Sequence, residues 1–321
     1  MTRDSDTPAV SPASPGSPGV GLTVLVLLVA GVAAWLFAQG PMVAEGPSPP
    51  IPSTTPTELP GFRSGAWFLP DDPLLGFVNI PTGAFLMGND QRTDTMAFEN
   101  EGWTADQAQG AVDLPAFYIG RYEVTVAQFS AFVSETGFDV HPQALQDPAN
   151  HPVSSVSWPD ALAYCRWLDT VLRQSSETPS DLSRALDAGW RVTLPTEAQW
   201  EKAARGADGR RYPWGDAVAI NRANYGGSGT VPVGSYTCPE CPFALSDMSG
   251  NVWEWTRSPY QPYPFTGSDD TDALGDDALW VMRGGSFTDA EQNVRTAVRG
   301  GGDPGARRPF MGFRLVIAPP H

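Results

Sequence analysis

The chain has 321 residues, 41% of them hydrophobic, so it is long enough to bury one large core or two small ones. The formal net charge of -16 excludes nucleic acid as the expected partner, because phosphate binding needs clustered basic residues. The 33 Gly and 32 Pro residues predict a domain rich in loops and turns.

The N-terminal part falls into three segments by composition. Residues 1–18 are rich in Ser and Pro, and we expect them to be disordered. Residues 19–38 (GVGLTVLVLLVAGVAAWLFA) carry no charge, and as a helix rising ~1.5 Å per residue they span a bilayer core of roughly 30 Å. This predicts a transmembrane helix, with a cleaved signal peptide as the alternative. Residues 39–60, rich in Pro, Ser and Thr, have the composition of an extended linker.

Basic residues suggest which side of the membrane the folded part occupies. Arg3 precedes the apolar segment, and the next basic residue is Arg63. The positive-inside rule then favours a cytoplasmic N-terminus and an extracytoplasmic domain over residues 61–321. The expected location is therefore a single-pass membrane protein with its globular domain in the periplasm or outside the cell.

Three helix starts carry a capping box, in which a Ser or Thr is followed three residues later by a side chain that returns a hydrogen bond. They begin at Thr125, Ser157 and Thr196, and the first and third are expected to end at Gly137 and Gly206. Strand-like runs are short and lie at 76–88, 117–124, 280–287 and 311–317. Few, scattered elements without βα alternation predict an irregular α+β domain and exclude a doubly wound sheet.

Common catalytic motifs are absent from the sequence. It contains no P-loop, no G-x-S-x-G, no H-E-x-x-H and no strand-associated G-x-G-x-x-G. The three histidines are too scattered to predict a metal site. The acidic run at 268–277 (SDDTDALGDD) lacks the ligand order of an EF-hand and is interpreted as a solvated loop.

Two of the three cysteines, Cys238 and Cys241, form a C-x-x-C pair in a Pro-flanked loop. A zinc site would need a second pair, and a thioredoxin-like centre would sit at a helix N-terminus. In an extracytoplasmic domain the expected state is a disulfide, acting as a local clasp. Cys165 falls on the apolar stripe of the second helix and is interpreted as a small buried hydrophobe.

Several blocks together resemble the formylglycine-generating enzyme family, also called the sulfatase-modifying factor family. They occur in family order over roughly residues 70–317, and include FLMG (85–88), YEVTVAQFSAF (122–132), HPVSSVSWPDALAYCRWL (151–168), LPTEAQWEKAARG (194–206), RRYPWGD (210–216), DMSGNVWEW (247–255), MRGGSF (282–287) and GFRLV (312–316). The resemblance implies one irregular α+β domain, a variation on the C-type lectin fold.

The resemblance also bears on cofactors. Sulfatase-activating members hold copper with two cysteines just after the block matched by RGGSF, but here Asp289 aligns with the first cysteine and the shortened segment has no second. This matches the bacterial branch that lacks the cysteine pair. Because thiolates are the soft ligands that hold Cu(I), we expect no copper and no ordinary formylglycine generation. Asn224 matches one calcium ligand of the family while neighbouring ligand positions differ, so calcium stays open and no calcium site is predicted.

Six residues of the signature blocks are candidates for a functional cleft. Ser286 and Asp289 qualify by alignment with the family's reactive segment. The others either line the same cleft or form a buried network of aromatic rings and ion pairs, and the network is the favoured interpretation; they are Trp253, Glu254, Arg283 and Arg314.

Two functions stay open on the sequence, and so does whether the chain is an enzyme. The first is an oxidoreductase-type or maturation factor, membrane-anchored, that acts on an exported protein or a small molecule without thiolate-copper chemistry. The alternative is a non-catalytic, lectin-like module that binds a peptide, a glycan or an envelope partner. The sequence does not identify the substrate.

Overall fold

The computed structural model describes residues 56–266 and 278–320, which belong to one compact unit spanning Ile51–His321. The predicted disordered segment 1–18, the predicted transmembrane helix 19–38, most of the linker 39–60 and all of the acidic run 268–277 lie outside the described residues. Within the described part, no helix is both long and apolar enough to cross a membrane.

The three predicted capping boxes all start helices. Thr125, Ser157 and Thr196 each accept a hydrogen bond from the backbone N–H three residues on. The structure also contains a short helix over Ser180–Asp187 that begins after Pro179 without a side-chain cap and therefore lacks the sequence signature. In chain order the helices are α1 (Val126–Thr136), α2 (Trp158–Gln174), α3 (Ser180–Asp187) and α4 (Glu197–Arg205).

Within the described residues, twelve short strands and several short 3-10 helices make up the rest of the regular structure. Two four-stranded sheets have the orders β10-β9-β8-β11 and β3-β6-β12-β7, and β1-β2 and β4-β5 form separate pairs. The strands are β1 (Phe62–Arg63), β2 (Leu69–Pro70), β3 (Phe77–Ile80), β4 (Gly83–Met87), β5 (Gly110–Leu114), β6 (Phe117–Gly120), β7 (Arg191–Thr193), β8 (Trp253–Pro259), β9 (Trp280–Arg283), β10 (Gly300–Gly302), β11 (Met311–Gly312) and β12 (Val316–Ala318). The irregular α+β prediction is confirmed.

Aromatic side chains fill much of the interior between α1, α2 and the sheets. The rings of Phe129 and Tyr164 stack at 5.7 Å between centroids, and Phe313 packs edge-on against both. Trp158 and Trp280 stack at 3.9 Å. Large rings bury much apolar area per residue, so a chain with short elements can still form a core.

The guanidinium of Arg314 is fully buried and joins both four-stranded sheets. Arg314 stands between β11 and β12, and its Nε and Nη2 each donate to the carboxylate of Glu254 on β8 at 2.6 Å. The Trp200 indole on α4 donates to the same carboxylate at 2.7 Å. The guanidinium also donates to the carbonyl oxygens of Gly120, Arg121 and Ser246.

A second buried guanidinium, that of Arg283 at the end of β9, fixes an irregular segment. Its Nη2 donates to Glu201 at 2.5 Å, and its two terminal nitrogens donate to three consecutive backbone carbonyls. These carbonyls belong to Thr296, Ala297 and Val298, at 2.7 to 2.9 Å. The ladder hydrogen bonds missing from this loop are therefore replaced by donors from one side chain.

Removing the charge of Glu254 should strongly destabilise the domain, because Arg314 would stay buried without its carboxylate. For Glu254→Gln we expect a loss of about 3–5 kcal/mol in the free energy of unfolding, measured by urea titration. The matched control is Glu177→Gln, since Glu177 is partly exposed and pairs with Arg63 at the surface. That control should cost less than about 1 kcal/mol. Equal losses in both variants would contradict the role of the buried pair.

Candidate functional site

Two consecutive glycines turn the chain sharply after β9 and start the site. Gly284 and Gly285 both have positive φ, at 94° and 71°. A Cβ on Gly285 would lie 2.5 Å from the carbonyl oxygen of Asn293, a contact that no side chain tolerates. Glycine is therefore needed for the loop to fold back on itself and present the residues that follow.

The carboxylate of Asp289 is the centre of this loop. Its Oδ2 accepts hydrogen bonds from the Ser286 hydroxyl at 2.7 Å, from the Ser286 N–H at 2.9 Å and from the Trp253 indole at 2.9 Å. Its Oδ1 accepts from the Asn293 amide at 2.9 Å. The Thr288 hydroxyl lies 2.9 Å from that of Ser286. We call these five residues the Asp289 cluster.

Exposure decides what the Asp289 cluster can do chemically. Ser286 is fully buried, Asp289 and Trp253 are half-buried, and Thr288 is exposed. A hydroxyl that solvent and substrate do not reach, and that already donates to a carboxylate, is not placed to act as a nucleophile. Four donors occupy the Asp289 carboxylate, so the cluster offers a fixed, polar, half-aromatic surface suited to recognition.

Residues just before β8 hold the neighbouring loop against the cluster. The Asn251 amide donates to Glu123 at 2.8 Å, and its oxygen accepts from the Asn224 amide at 3.0 Å. The N–H groups of Gly226 and Gly227 donate to the carbonyls of Asp289 and Phe287 respectively. Asn224 therefore lies beside the cluster and connects neighbouring loops by hydrogen bonds.

Two buried carboxyl groups lie beneath this region. Burial, together with the nearby Asp247 and Glu254 carboxylates, raises the pKa of Glu123 well above its ordinary value. Burial likewise raises the pKa of Asp247 to about 6. Asp247 Oδ2 accepts from the Gly234 N–H at 2.7 Å, while its Oδ1 has no hydrogen-bond partner among the described residues. Ionising either carboxyl group is unfavourable, since neither forms an ion pair with the described residues.

The six candidate residues separate into two groups. Ser286, Asp289 and Trp253 come together in the Asp289 cluster. Glu254, Arg283 and Arg314 are fully buried in the ion-pair network described above. Neighbours on β8 point to opposite faces, which is why Trp253 reaches the cluster and Glu254 reaches the core.

Sequence reasoning missed three residues of the site. Asn293 and Thr288 complete the Asp289 cluster, and Asn251 links the adjoining loop to Glu123. Asn251 has a positive φ of 62°, a conformation that Asn adopts more readily than most residues. The only signal available in the sequence was the GN pair inside the DMSGNVWEW block.

The structure joins Cys238 and Cys241 in a disulfide with Cα atoms 5.3 Å apart, and Cys165 is buried. Neither disulfide cysteine belongs to the Asp289 cluster as the hydrogen bonds define it.

The copper implied by the resemblance does not fit the residues of the Asp289 cluster. The segment from Arg283 to Arg299 has no thiol, and the Asp289 carboxylate already accepts four hydrogen bonds from N–H and O–H donors. The amide nitrogen of Asn224 donates to the Gly229 carbonyl and to Asn251. Within residues 56–266 and 278–320, no group of three or more His, Cys, Asp and Glu side chains is arranged to hold a metal.

The fold and this loop define an irregular α+β domain of the sulfatase-modifying factor type. The chain belongs to the family of the sulfatase-modifying factor enzyme 1-like domain, which it matches over residues 70–319.

Named relatives show how diverse this family is. The chain is 30% identical over 292 residues to the hercynine oxygenase of Mycolicibacterium smegmatis, covering 74% of this chain and 60% of that protein. It is 33% identical over 297 residues to the inactive C-alpha-formylglycine-generating enzyme 2 of Bos taurus, covering 79% and 92%. The structure of PvdO from Pseudomonas aeruginosa superposes with a TM-score of 0.59 at 25% identity, covering 75% and 94%. The chain thus spans about 60% of the hercynine oxygenase that it matches.

The raised pKa of Asp247 predicts that stability falls with rising pH. The folded state holds the Asp247 proton up to about pH 6, whereas the ordinary value is 3.8. The stabilisation is complete below about pH 4 and is lost as the pH rises through 6, a loss on the order of 3 kcal/mol. Asp247→Asn should remove the share of this decline that Asp247 contributes, leaving that of Glu123, and should be more stable than the wild type at pH 7.

Urea unfolding at several pH values between about 4.5 and 7.5 measures this slope. The matched control is Asp181→Asn, because Asp181 is half-exposed on α3. That control should keep the wild-type slope. An Asp247→Asn variant with the same pH dependence as the wild type would show that Asp247 does not titrate in this range.

Proposed function

We propose that this protein is a membrane-anchored, extracytoplasmic maturation factor whose Asp289 cluster recognises an exported protein, without thiolate-copper chemistry. Its anchor is the apolar segment 19–38, and the domain beyond the linker meets the client outside the cytoplasm. The side chains of the cluster can bind a partner by themselves, without a metal or a cofactor.

The observation that carries this proposal is the saturated carboxylate of Asp289. Four donors fix its orientation, so the loop is rigid before any partner arrives, and a preorganised surface loses little entropy on binding. The half-buried Trp253 and the exposed Thr288 give the surface an aromatic face and a hydroxyl. Aromatic residues in such settings often dominate the energy of protein interfaces.

Two further observations support an extracytoplasmic location. The Cys238–Cys241 disulfide is a bond that persists in oxidising compartments. The uncharged stretch at 19–38 has the length of a membrane span.

A second candidate function is an oxidoreductase that acts on the client or on a small molecule. The likeness to a hercynine oxygenase favours it. Because the described residues hold no thiol or metal-ligand set at the Asp289 cluster, this activity would draw its redox group from elsewhere.

Site-specific photo-crosslinking in cells that produce the full chain tests the recognition proposal. A benzoylphenylalanine at Ala290, which is exposed beside the cluster, should give a covalent adduct with one exported protein. The same probe at Arg184, on α3, is the control and should not give it. Adding Thr288→Arg should reduce the adduct by roughly tenfold, because a long charged side chain would then stand on the recognition surface. An adduct of equal yield at both positions, or adducts with cytoplasmic proteins alone, would contradict the proposal.

The absence of thiolate chemistry has its own test. The purified chain is supplied with copper, oxygen, a reductant and a peptide carrying a Cys-x-Pro-x-Arg sequence, and mass spectrometry follows the mass loss of formylglycine formation. We expect no turnover. Turnover that Cys238→Ser or Cys241→Ser abolishes would show that the disulfide pair is the catalytic centre and would overturn the proposal.

A further inference from the structure

Two arginines stand out because their guanidinium groups have no partner among the described residues. The side chains of Arg166 and Arg191 make no hydrogen bond or ion pair with the part of the chain that the structure describes. The other arginines in residues 56–266 and 278–320 each have a hydrogen-bond, ion-pair or other electrostatic partner. In a chain with a net charge of -16, cations that find no carboxylate call for an explanation.

Both arginines line the same cavity, and that cavity shares no residue with the Asp289 cluster. The cavity has a volume of about 560 Å³ and is formed by α2, β7 and Arg257 of β8. Arg166 and Thr170 lie four residues apart on one face of α2, and Arg191 and Thr193 lie on one face of β7. Cavities of roughly 300–1,000 Å³ are the size that proteins use for small molecules.

The walls of the cavity combine positive charge with apolar surface. Three arginines, Arg166, Arg191 and Arg257, are among its lining residues, and Asp169 is the acidic residue among them. That carboxylate is occupied, because Asp169 accepts from Arg173 at 2.7 Å and from the Val192 N–H at 2.9 Å. The apolar part of the wall is made of Trp158, Leu162 and Cys165, all buried or nearly so.

We propose that this cavity is a binding site for a small anion, a carboxylate or phosphate group carried on an apolar body. Guanidinium groups match planar or tetrahedral oxyanions with paired N–H donors, and they are less strongly hydrated than ammonium groups. The aromatic and aliphatic wall accommodates the body of the ligand, while Thr170 and Thr193 offer hydroxyl groups. The site is independent of the Asp289 cluster and does not rest on the recognition function proposed for it.

Phenyl phosphate is the probe, since it joins an oxyanion to an aromatic ring, and the full chain at low ionic strength is the target. Calorimetry and thermal unfolding should show saturable binding with a dissociation constant below roughly 1 mM and a melting temperature that rises with ligand. Phenol, which lacks the charge, should not bind. Inorganic phosphate should bind at least about tenfold more weakly than phenyl phosphate, because it cannot use the apolar wall.

The double variant Arg166→Gln/Arg191→Gln should weaken phenyl phosphate binding by at least about tenfold while the protein stays folded, since both side chains are exposed. The matched control, Arg184→Gln/Arg222→Gln, removes the same charge from surface arginines that pair with Asp181 and Glu240. It should bind as the wild type does. No binding by the wild type, or an equal loss in both double variants, would overturn the proposal; equal affinity for phosphate and phenyl phosphate would overturn the part assigned to the apolar wall.

Discussion

Irregular chain inside a protein leaves backbone carbonyls without ladder partners, and each one must find a donor. In this domain buried guanidinium groups supply them. Arg283 alone donates to three consecutive carbonyls of residues 296–298, and Arg314 donates to the carbonyls of residues 120 and 121, at the end of β6, and of residue 246. The carboxylates of Glu201 and Glu254 balance these charges in the interior. Paired charges in this arrangement fix the positions of loops that have few strands to hold them.

This network of buried ion pairs also holds the Asp289 cluster in place. The loop that carries Asp289 is bounded on one side by Arg283 and on the other by the carbonyls that Arg283 holds. Asp289 also holds loop residues together, but as an acceptor. Its carboxylate accepts hydrogen bonds from Ser286, Trp253 and Asn293. A thiolate at this position would be free to bind a soft metal, whereas a carboxylate with four donors is committed to holding the loop.

Local features of the fold could be predicted from the sequence because their causes are local. The capping boxes at Thr125, Ser157 and Thr196 involve residues three apart, and each one starts a helix. Helix α3 was missed because its start has no side-chain cap and its stability comes from packing of Leu182 and Leu186. Composition and the signature blocks were sufficient for the fold class.

Partners far apart in the chain could not be predicted in the same way. Arg314 and Glu254 are sixty residues apart, and nothing in either neighbourhood indicates which carboxylate the guanidinium meets. The sequence therefore allowed two interpretations of Glu254, Arg283 and Arg314, as residues of a cleft or of the core. Their side chains are buried, which assigns them to the core. The cavity with Arg166 and Arg191 was missed for the same reason, since α2, β7 and β8 meet only in the folded chain.

Native-state hydrogen exchange of Arg283→Lys, compared with the wild type, tests most directly whether guanidinium groups hold the loops. Lysine keeps the charge and loses the fork of donors that reaches three carbonyls. We expect amides of the 284–298 segment, such as those of Phe287 and Thr296, to exchange about tenfold faster or more in the variant, while the Leu168 amide on α2 keeps its protection. Unchanged protection of the 284–298 segment in Arg283→Lys would contradict the account.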